Sequence, residues 1–176
     1  MLTALAWLQK KYGFGERYLL AGHSCGATLA FQVAMTPHST LSPAITKPLA
    51  ILGVEGIYDL LALRNNHCNE PYYQHMLQNA FGTDETRWTA ASPVSGDYNK
   101  HWPNAKLTVL AHSFQDELVE KEQMGRMEAA LKEKGADGRV DVGKILKGRH
   151  DDVWKEGTEL VKSIRYAVDR LVTSKV

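Results

Sequence analysis

Short unbroken apolar runs alternate along the chain with longer stretches in which apolar residues recur every three or four positions. The first pattern suits strands buried on both faces and the second suits helices packed over them. Together they predict strand and crossover-helix units of the α/β class, with four mainly parallel strands and helices on both faces. The runs are Tyr18 to Ala21, Leu49 to Val54, Leu107 to Ala111 and Val140 to Leu146, the last interrupted by Asp141 and Gly143. A helix is expected from Cys25 to about Met35, ended by Pro37, with Leu29 and Val33 on a sheet-facing side. From Gly56 the chain reads as an irregular, polar and aromatic, lid-like stretch in which Tyr72 to Ala80 forms a helix closed by Gly82 and Ala91-Ser92-Pro93 marks a turn. Val119 to Lys134 reads as a helix stopping at Gly135, and Lys155 to Leu171 as a closing helix with Leu160, Val161, Ile164, Val168 and Leu171 at helical spacing. Without repeats, low-complexity tracts or linkers, residues 1–176 are expected to form a single domain.

Composition narrows the partners. With 21 basic against 20 acidic residues and a net charge of +1, nothing favours nucleic acid or an anionic membrane surface, and a small molecule is the expected partner. The opening Met1 to Leu8 is apolar, but it lacks a basic start and runs into Lys10-Lys11 without a cleavage-like site, so it reads as an amphipathic helix. No apolar stretch approaches the roughly eighteen residues of a membrane span. Cys25 and Cys68 are the two cysteines, too few for a disulfide scaffold, which suggests a reducing, cytoplasmic setting.

The chemistry starts at Gly22-His23-Ser24-Cys25-Gly26, a G-x-S-x-G pentapeptide set between a predicted strand and a predicted helix. In a nucleophile elbow the chain reverses sharply and strains the serine, so the residues two before and two after must lack bulk; Gly22 and Gly26 satisfy this. A serine hydroxyl needs a base to take its proton and a carboxylate to orient that base. On this type of sheet both sit on loops at the carboxyl ends of later strands, in the order acid, then histidine. Asp116 follows the third strand and His150 the fourth, and they are the expected acid and base. The backbone N–H of Cys25 is placed to face the developing oxyanion; its thiol is not expected to react.

Competing residues are assigned elsewhere. Asp59 is expected to shape a pocket wall, Glu117 to point away, and Asp151 and Asp152 to cap the closing helix. His23, His38, His67, His75, His101 and His112 are read as surface or core residues, and Cys68 as a plain loop residue. No paired Cys/His cluster or H-E-x-x-H occurs, so no metal is predicted. Tyr58, Tyr72, Tyr73, Trp88, Trp102 and Trp154 could line a pocket for a flat substrate or pack in the core.

Gly22-His23-Ser24-Cys25-Gly26-Ala27, Gly-Ile-Tyr-Asp-Leu at 56–60, Ala91-Ser92-Pro93, Asp116-Glu117-Leu118-Val119 and His150-Asp151-Asp152-Val153-Trp154 together resemble the fungal kynurenine formamidases of the α/β-hydrolase fold. The resemblance implies hydrolysis of N-formyl-L-kynurenine to L-kynurenine and formate, in tryptophan breakdown toward nicotinamide nucleotides, without a cofactor. It places Ser24 as nucleophile, His150 as base and Asp116 as the group orienting His150. Family members also carry earlier strands and a His-Gly-Gly loop whose backbone N–H groups complete the oxyanion hole. Their absence from this sequence leads to the expectation of an N-terminally truncated chain, weakened about a hundred- to a thousandfold by the lost donor. The nucleophile strand would then be left as an apolar edge that favours association of copies. A carboxylesterase of the same fold and a catalytically inert scaffold are the alternative readings.

Overall fold

The four apolar runs become four parallel strands hydrogen-bonded in chain order: β1 (Leu19–His23), β2 (Ala50–Val54), β3 (Leu107–Ser113) and β4 (Val140–Leu146). The structure, a computed structural model, describes residues 1–41, 43–134 and 140–173, the side chains of 142–144 excepted. Every residue of β2 and β3 is buried, as expected of central strands covered on both faces. β1 lies at one end of the sheet and is half-exposed. The register between β3 and β4 passes from Leu110↔Val142 to Ala111↔Lys144. This bulge falls where Gly143 interrupts the apolar run.

Because side chains alternate across a strand, β2 and β3 feed two cores. Ile51 and Leu110 meet Ala27, Ala30, Phe31 and Ala34 of α2 (Cys25–Met35) and Met127 and Leu131 of a later helix. Leu52, Val54, Val109 and Ala111 face the opposite layer, which supplies Val153 and Ala167. Each large aliphatic side chain so buried contributes about 1.5–3 kcal/mol relative to exposure. Helix α1 (Leu2–Tyr12) ends at Gly13, which takes a left-handed φ of 65°, and packs through Leu5 on Val33, Leu41 and Ile45.

Leu29 departs from expectation. It is 45% exposed, whereas Ala27, Ala30, Phe31 and Ala34 form the sheet-facing stripe, because small residues let the helix approach the strands closely.

The expected irregular stretch is more ordered than its composition suggests. It holds α3 (Leu60–Asn66), α4 (Pro71–Phe81), α5 (Glu85–Ala91) and α6 (Tyr98–His101). Asp59, Asp84 and Asp97 each accept a backbone N–H at the start of α3, α5 and α6, the role short acidic side chains fill at helix N-termini. Gly82 closes α4 as expected. Ile57, Leu60, Leu63, Tyr73, Leu77, Trp88 and Val119 give this layer its own core.

Helix α7 (Glu122–Glu133) starts later than Val119 because the amides of Leu118 and Val119 are bound by the Asp116 side chain. Its expected stop at Gly135 lies outside the described residues. The closing helix expected from Lys155 to Leu171 is α9 (Thr158–Thr173), preceded by a short α8 (Asp152–Lys155) from which it is separated at Gly157, where φ is 73°. Among the described residues no helix is long and apolar enough to cross a membrane.

Candidate active site

Each parallel strand delivers one polar side chain to the same rim of the sheet. Ser24 directly follows β1, Glu55 follows β2, and the loops after β3 and β4 carry Asp116 and His150. The ladder runs on past the strand ends, with Ser24 N–H donating to Val54 O at 2.9 Å and Glu55 N–H to Ala111 O at 2.8 Å. This fixes how the first two side chains lie against the third strand.

Ser24 has φ 55° and ψ −126° and stands at the N-cap of α2. A non-glycine residue held there is strained, as the reversal from strand to helix demands. The crossing is tight: a β-carbon at Gly22 would lie 2.2 Å from the carbonyl oxygen of Gly26. At Gly26 itself an added β-carbon meets nothing within 4 Å, so the expected need for a small residue holds on one side of the elbow and not the other. Cys25 opens α2, and its N–H therefore lacks an intrahelical acceptor.

Asp116 and His150 are joined directly, Nδ1 to Oδ2, at 2.9 Å. Asp116 Oδ1 accepts the amides of Leu118 and Val119, both at 2.9 Å. Burial alone would raise the Asp116 pKa, but the bonds from His150, Val119 and Leu118 outweigh it and hold the carboxyl below its usual range. For His150 burial opposes the charged form, yet the hydrogen bond and charge of Asp116, followed by the charges of Glu55 and Asp151, carry its pKa above the ordinary histidine value. The loops bearing acid and base are stitched together: Ser113 Oγ–H donates to Gly148 O at 2.6 Å, Gly148 N–H to Gln115 Oε1 at 2.9 Å, and His150 N–H to Glu117 Oε2 at 3.1 Å. Glu117, expected to point away, thus anchors the His150 loop and also pairs with Arg149.

Ser24 stands apart in one respect. Its hydroxyl makes no hydrogen bond to His150, whose Nε2 is free of protein partners among the described residues. The structure therefore joins two of the three expected groups, while the third, Ser24, follows His23, whose ring centroid is 4.5 Å from that of His150.

Two groups at this rim escaped the sequence reading. Glu55 is fully buried, with φ 47°, and its Oε1 has no hydrogen-bond partner. His23, read as a bland packing residue, has its Nε2 3.0 Å from Glu55 Oε2 and 3.1 Å from the carbonyl oxygen of His150. Burial raises the pKa of Glu55, and the bond from His23 only partly opposes it. A signal for Glu55 did exist, a carboxylate ending a run of buried aliphatics immediately before a glycine. His112 is also buried, with Nδ1 unpaired and Nε2 3.9 Å from Asp116.

His23, Glu55 and His150 offer three metal-type donor atoms within 4.8 Å of one another. Hydrogen bonding accounts for their closeness: His150 Nδ1 is committed to Asp116, and His23 Nε2 points at two acceptors. The remaining candidates sort simply. Asp59 caps α3 and pairs with Arg126. Asp151 stands at the N-cap position of α8 and Asp152 in its first turn, as expected, but their side chains bind Trp154, Lys155 and the Arg149 amide rather than the helix's own first amides. Tyr58, Tyr73, Trp88 and Trp102 are core residues, while Tyr72 and Trp154 are exposed. Beside the elbow an apolar cavity of about 220 Å³ is lined by Cys25, Leu29, Ile57, Leu60, Met76 and Phe81.

This architecture, with a strained serine between strand and helix and an Asp–His pair on later loops, is that of the α/β-hydrolases. Esterase B from Lactobacillus rhamnosis superposes on 97% of the chain with a TM-score of 0.72 at 13% identity, and the match covers 59% of that enzyme. The chain has the α/β-hydrolase fold over the part it spans. In sequence it is similar to a kynurenine formamidase-like hydrolase from Fusarium equiseti, 40% identical over 98% of the chain. It is also 41% identical, over 87% of the chain, to a kynurenine formamidase from Aspergillus versicolor. The chain spans 60% of the length of each of these two relatives. No protein-family model matches it.

Proposed function

We propose that the chain carries the hydrolytic centre of a serine hydrolase that splits N-formyl-L-kynurenine into L-kynurenine and formate. The observation supporting this most strongly is the 2.9 Å bond between His150 and an Asp116 carboxylate already held by two amides, with the His150 ring 4.5 Å, centroid to centroid, from that of His23, the residue before Ser24. Similarity to the formamidases of the two fungi directs the choice of substrate.

In this reading Ser24 Oγ attacks the formyl carbon while His150 Nε2 takes the hydroxyl proton. Asp116 keeps the proton on Nδ1, so that Nε2 is the basic nitrogen, and stabilises the imidazolium once formed. The oxyanion faces the Cys25 N–H. His150 then returns its proton to the departing aryl amine, leaving a formyl ester on Ser24 that water hydrolyses to formate. The bond from Ser24 Oγ to Nε2 forms as substrate fills the site, since such contacts are commonly loose without ligand. The apolar cavity beside Cys25 would receive the aryl portion.

The test is covalent labelling of the 176-residue chain with a fluorophosphonate, followed by assays with N-formyl-L-kynurenine and p-nitrophenyl acetate. Labelling should map to Ser24 and vanish in Ser24→Ala and His150→Ala, and the formamide should be the better substrate. Absence of labelling would contradict the serine-hydrolase reading, and preference for the ester would transfer the reading to a carboxylesterase.

A further inference from the structure

Ser24 and Glu55 are the two non-glycine residues with positive φ among the described residues. They stand at the ends of neighbouring strands, and the reaction proposed above uses only the first. Glu55 is in addition fully buried with one carboxylate oxygen unpaired. Glycine at this position would avoid both costs. Strain and an unmet polar atom at one position, beside a reacting group, point to a role that stability does not explain.

We propose that Glu55 is a positioning residue for His150: a second carboxylate that, through His23, holds the His150 loop against the nucleophile elbow and supports the positive charge the imidazole acquires.

The geometry supplies both parts. His23 Nε2 lies 3.0 Å from Glu55 Oε2 and 3.1 Å from the His150 carbonyl oxygen. Both partners are acceptors, so Nε2 carries a proton and donates to both. One N–H thereby ties the end of β1, the end of β2 and the loop after β4 at a single point. Glu55 Oε2 is also 3.9 Å from His150 Nδ1, on which Asp116 Oδ2 sits at 2.9 Å. The imidazole is thus faced by two carboxylates, one bonding it directly and one acting across a short gap where water is excluded and charge interactions are strong.

The other ionisable groups around the pair are known. His23 faces it from the β1 end, His112 and Asp116 from the end of β3 and its loop, and Asp151 from beside His150; Glu117 holds the His150 amide while pairing with Arg149. A negative Glu55 favours protonated His150, so its removal should lower the pH at which the base becomes active. Glu55 resists ionisation when buried. It therefore binds its proton more tightly in the folded than in the unfolded chain, and its contribution to stability falls as pH rises through the range above 4.5. Wherever Glu55 is ionised, its burial weakens the fold.

The inference rests on the hydrolase reading, and two measurements separate their failures. The first is the rate of Ser24 phosphonylation against pH in the wild-type chain and Glu55→Gln. The acid limb should move down by about half to one pH unit, and the plateau should fall about three- to tenfold because a weaker base accepts the proton less readily. Glu55→Gly, which relieves the positive φ, provides the same comparison should the glutamine variant fail to fold. Glu55→Asp should recover most of the limb position. An unmoved limb in both Gln and Gly variants overturns the proposal, as does a Tm loss with the limb in place. The second measurement is NMR titration of the His150 ring proton in the same variants, which needs no turnover. If the wild type is not labelled at all, the hydrolase reading fails; the inference then stands on a lowered His150 pKa in the variants and falls if that value is unchanged.

Discussion

A β-carbon at Gly22 would sit 2.2 Å from the Gly26 carbonyl oxygen and 2.6 Å from the Ala27 amide nitrogen, both backbone atoms. No rotamer change can relieve such a contact. Gly22→Ala should therefore open the elbow and abolish Ser24 phosphonylation. Gly26 lies inside α2 with open space where a side chain would go, and alanine there gains about 0.5–1 kcal/mol over glycine in helical preference. Gly26→Ala should be labelled normally and melt at the same or a higher temperature; equal loss of labelling in the two variants would refute the asymmetry. The pentapeptide made the strained turn at Ser24 legible from the sequence, because the close crossing at Gly22 demands a glycine there. Asp116 and His150 were legible because strand order dictates where each loop emerges. Glu55 and His23 were not. Their contact depends on β1 and β2 ending level, with His23↔Val54 in register, and on a loop 127 residues away in sequence from His23. A carboxylate ending an apolar run sets Glu55 apart, but nothing local to either residue encodes that meeting.

Among the elements, α7 packs on the sheet through Met127 and Leu131 and holds the turn between β2 and α3 through one further side chain. Gln123 is fully buried; its Oε1 accepts the amides of Tyr58 and Asp59 at 2.9 and 2.8 Å, and its Nε2 donates to Asp59 O and Glu120 Oε1, both at 3.0 Å. The turn between β2 and α3 obtains from α7 the partners that its own backbone cannot supply. Gln123→Leu keeps the volume and strips all of these bonds. With two amides left unpaired at about 1–3 kcal/mol each, the expected loss is about 2–6 kcal/mol. It is read as a lower midpoint in urea at unchanged slope, and a loss below about 1 kcal/mol would mean that water replaces the amide. The strands and long helices were legible from their periods. The short helices α3, α5 and α6 were not, since none is long enough to show a period. Their signal lay instead in Asp59, Asp84 and Asp97, each accepting an amide two or three residues on. The sheet-facing stripe of α2 was misjudged for a related reason: close packing favours alanine, which apolar patterning weights less than Leu29.

For the molecule as a whole, the sheet is asymmetric. Parallel order β1-β2-β3-β4 buries β2 and β3 between helical layers, while β1 pairs on one side alone among the described residues. Leu19 and Leu20 are only half-buried and Ala21 is exposed. The free side of β1 offers a row of unpaired amides and carbonyls, five residues long and without a charged side chain to deter pairing. Stretches of this kind recruit other strands, and a second copy of β1 presents the same groups. Light scattering across a concentration series should accordingly show a rising mean mass for the 176-residue chain. Ala21→Lys places a charge at the middle of the edge, where burial against a second strand would cost its hydration. That variant should shift the distribution toward monomer while leaving Ser24 labelling intact, because Ala21 precedes the elbow and touches none of the groups after β2, β3 or β4 that meet His150. A wild-type chain that stays monomeric across the series would show that twist and the half-buried flanks of β1 already protect the edge.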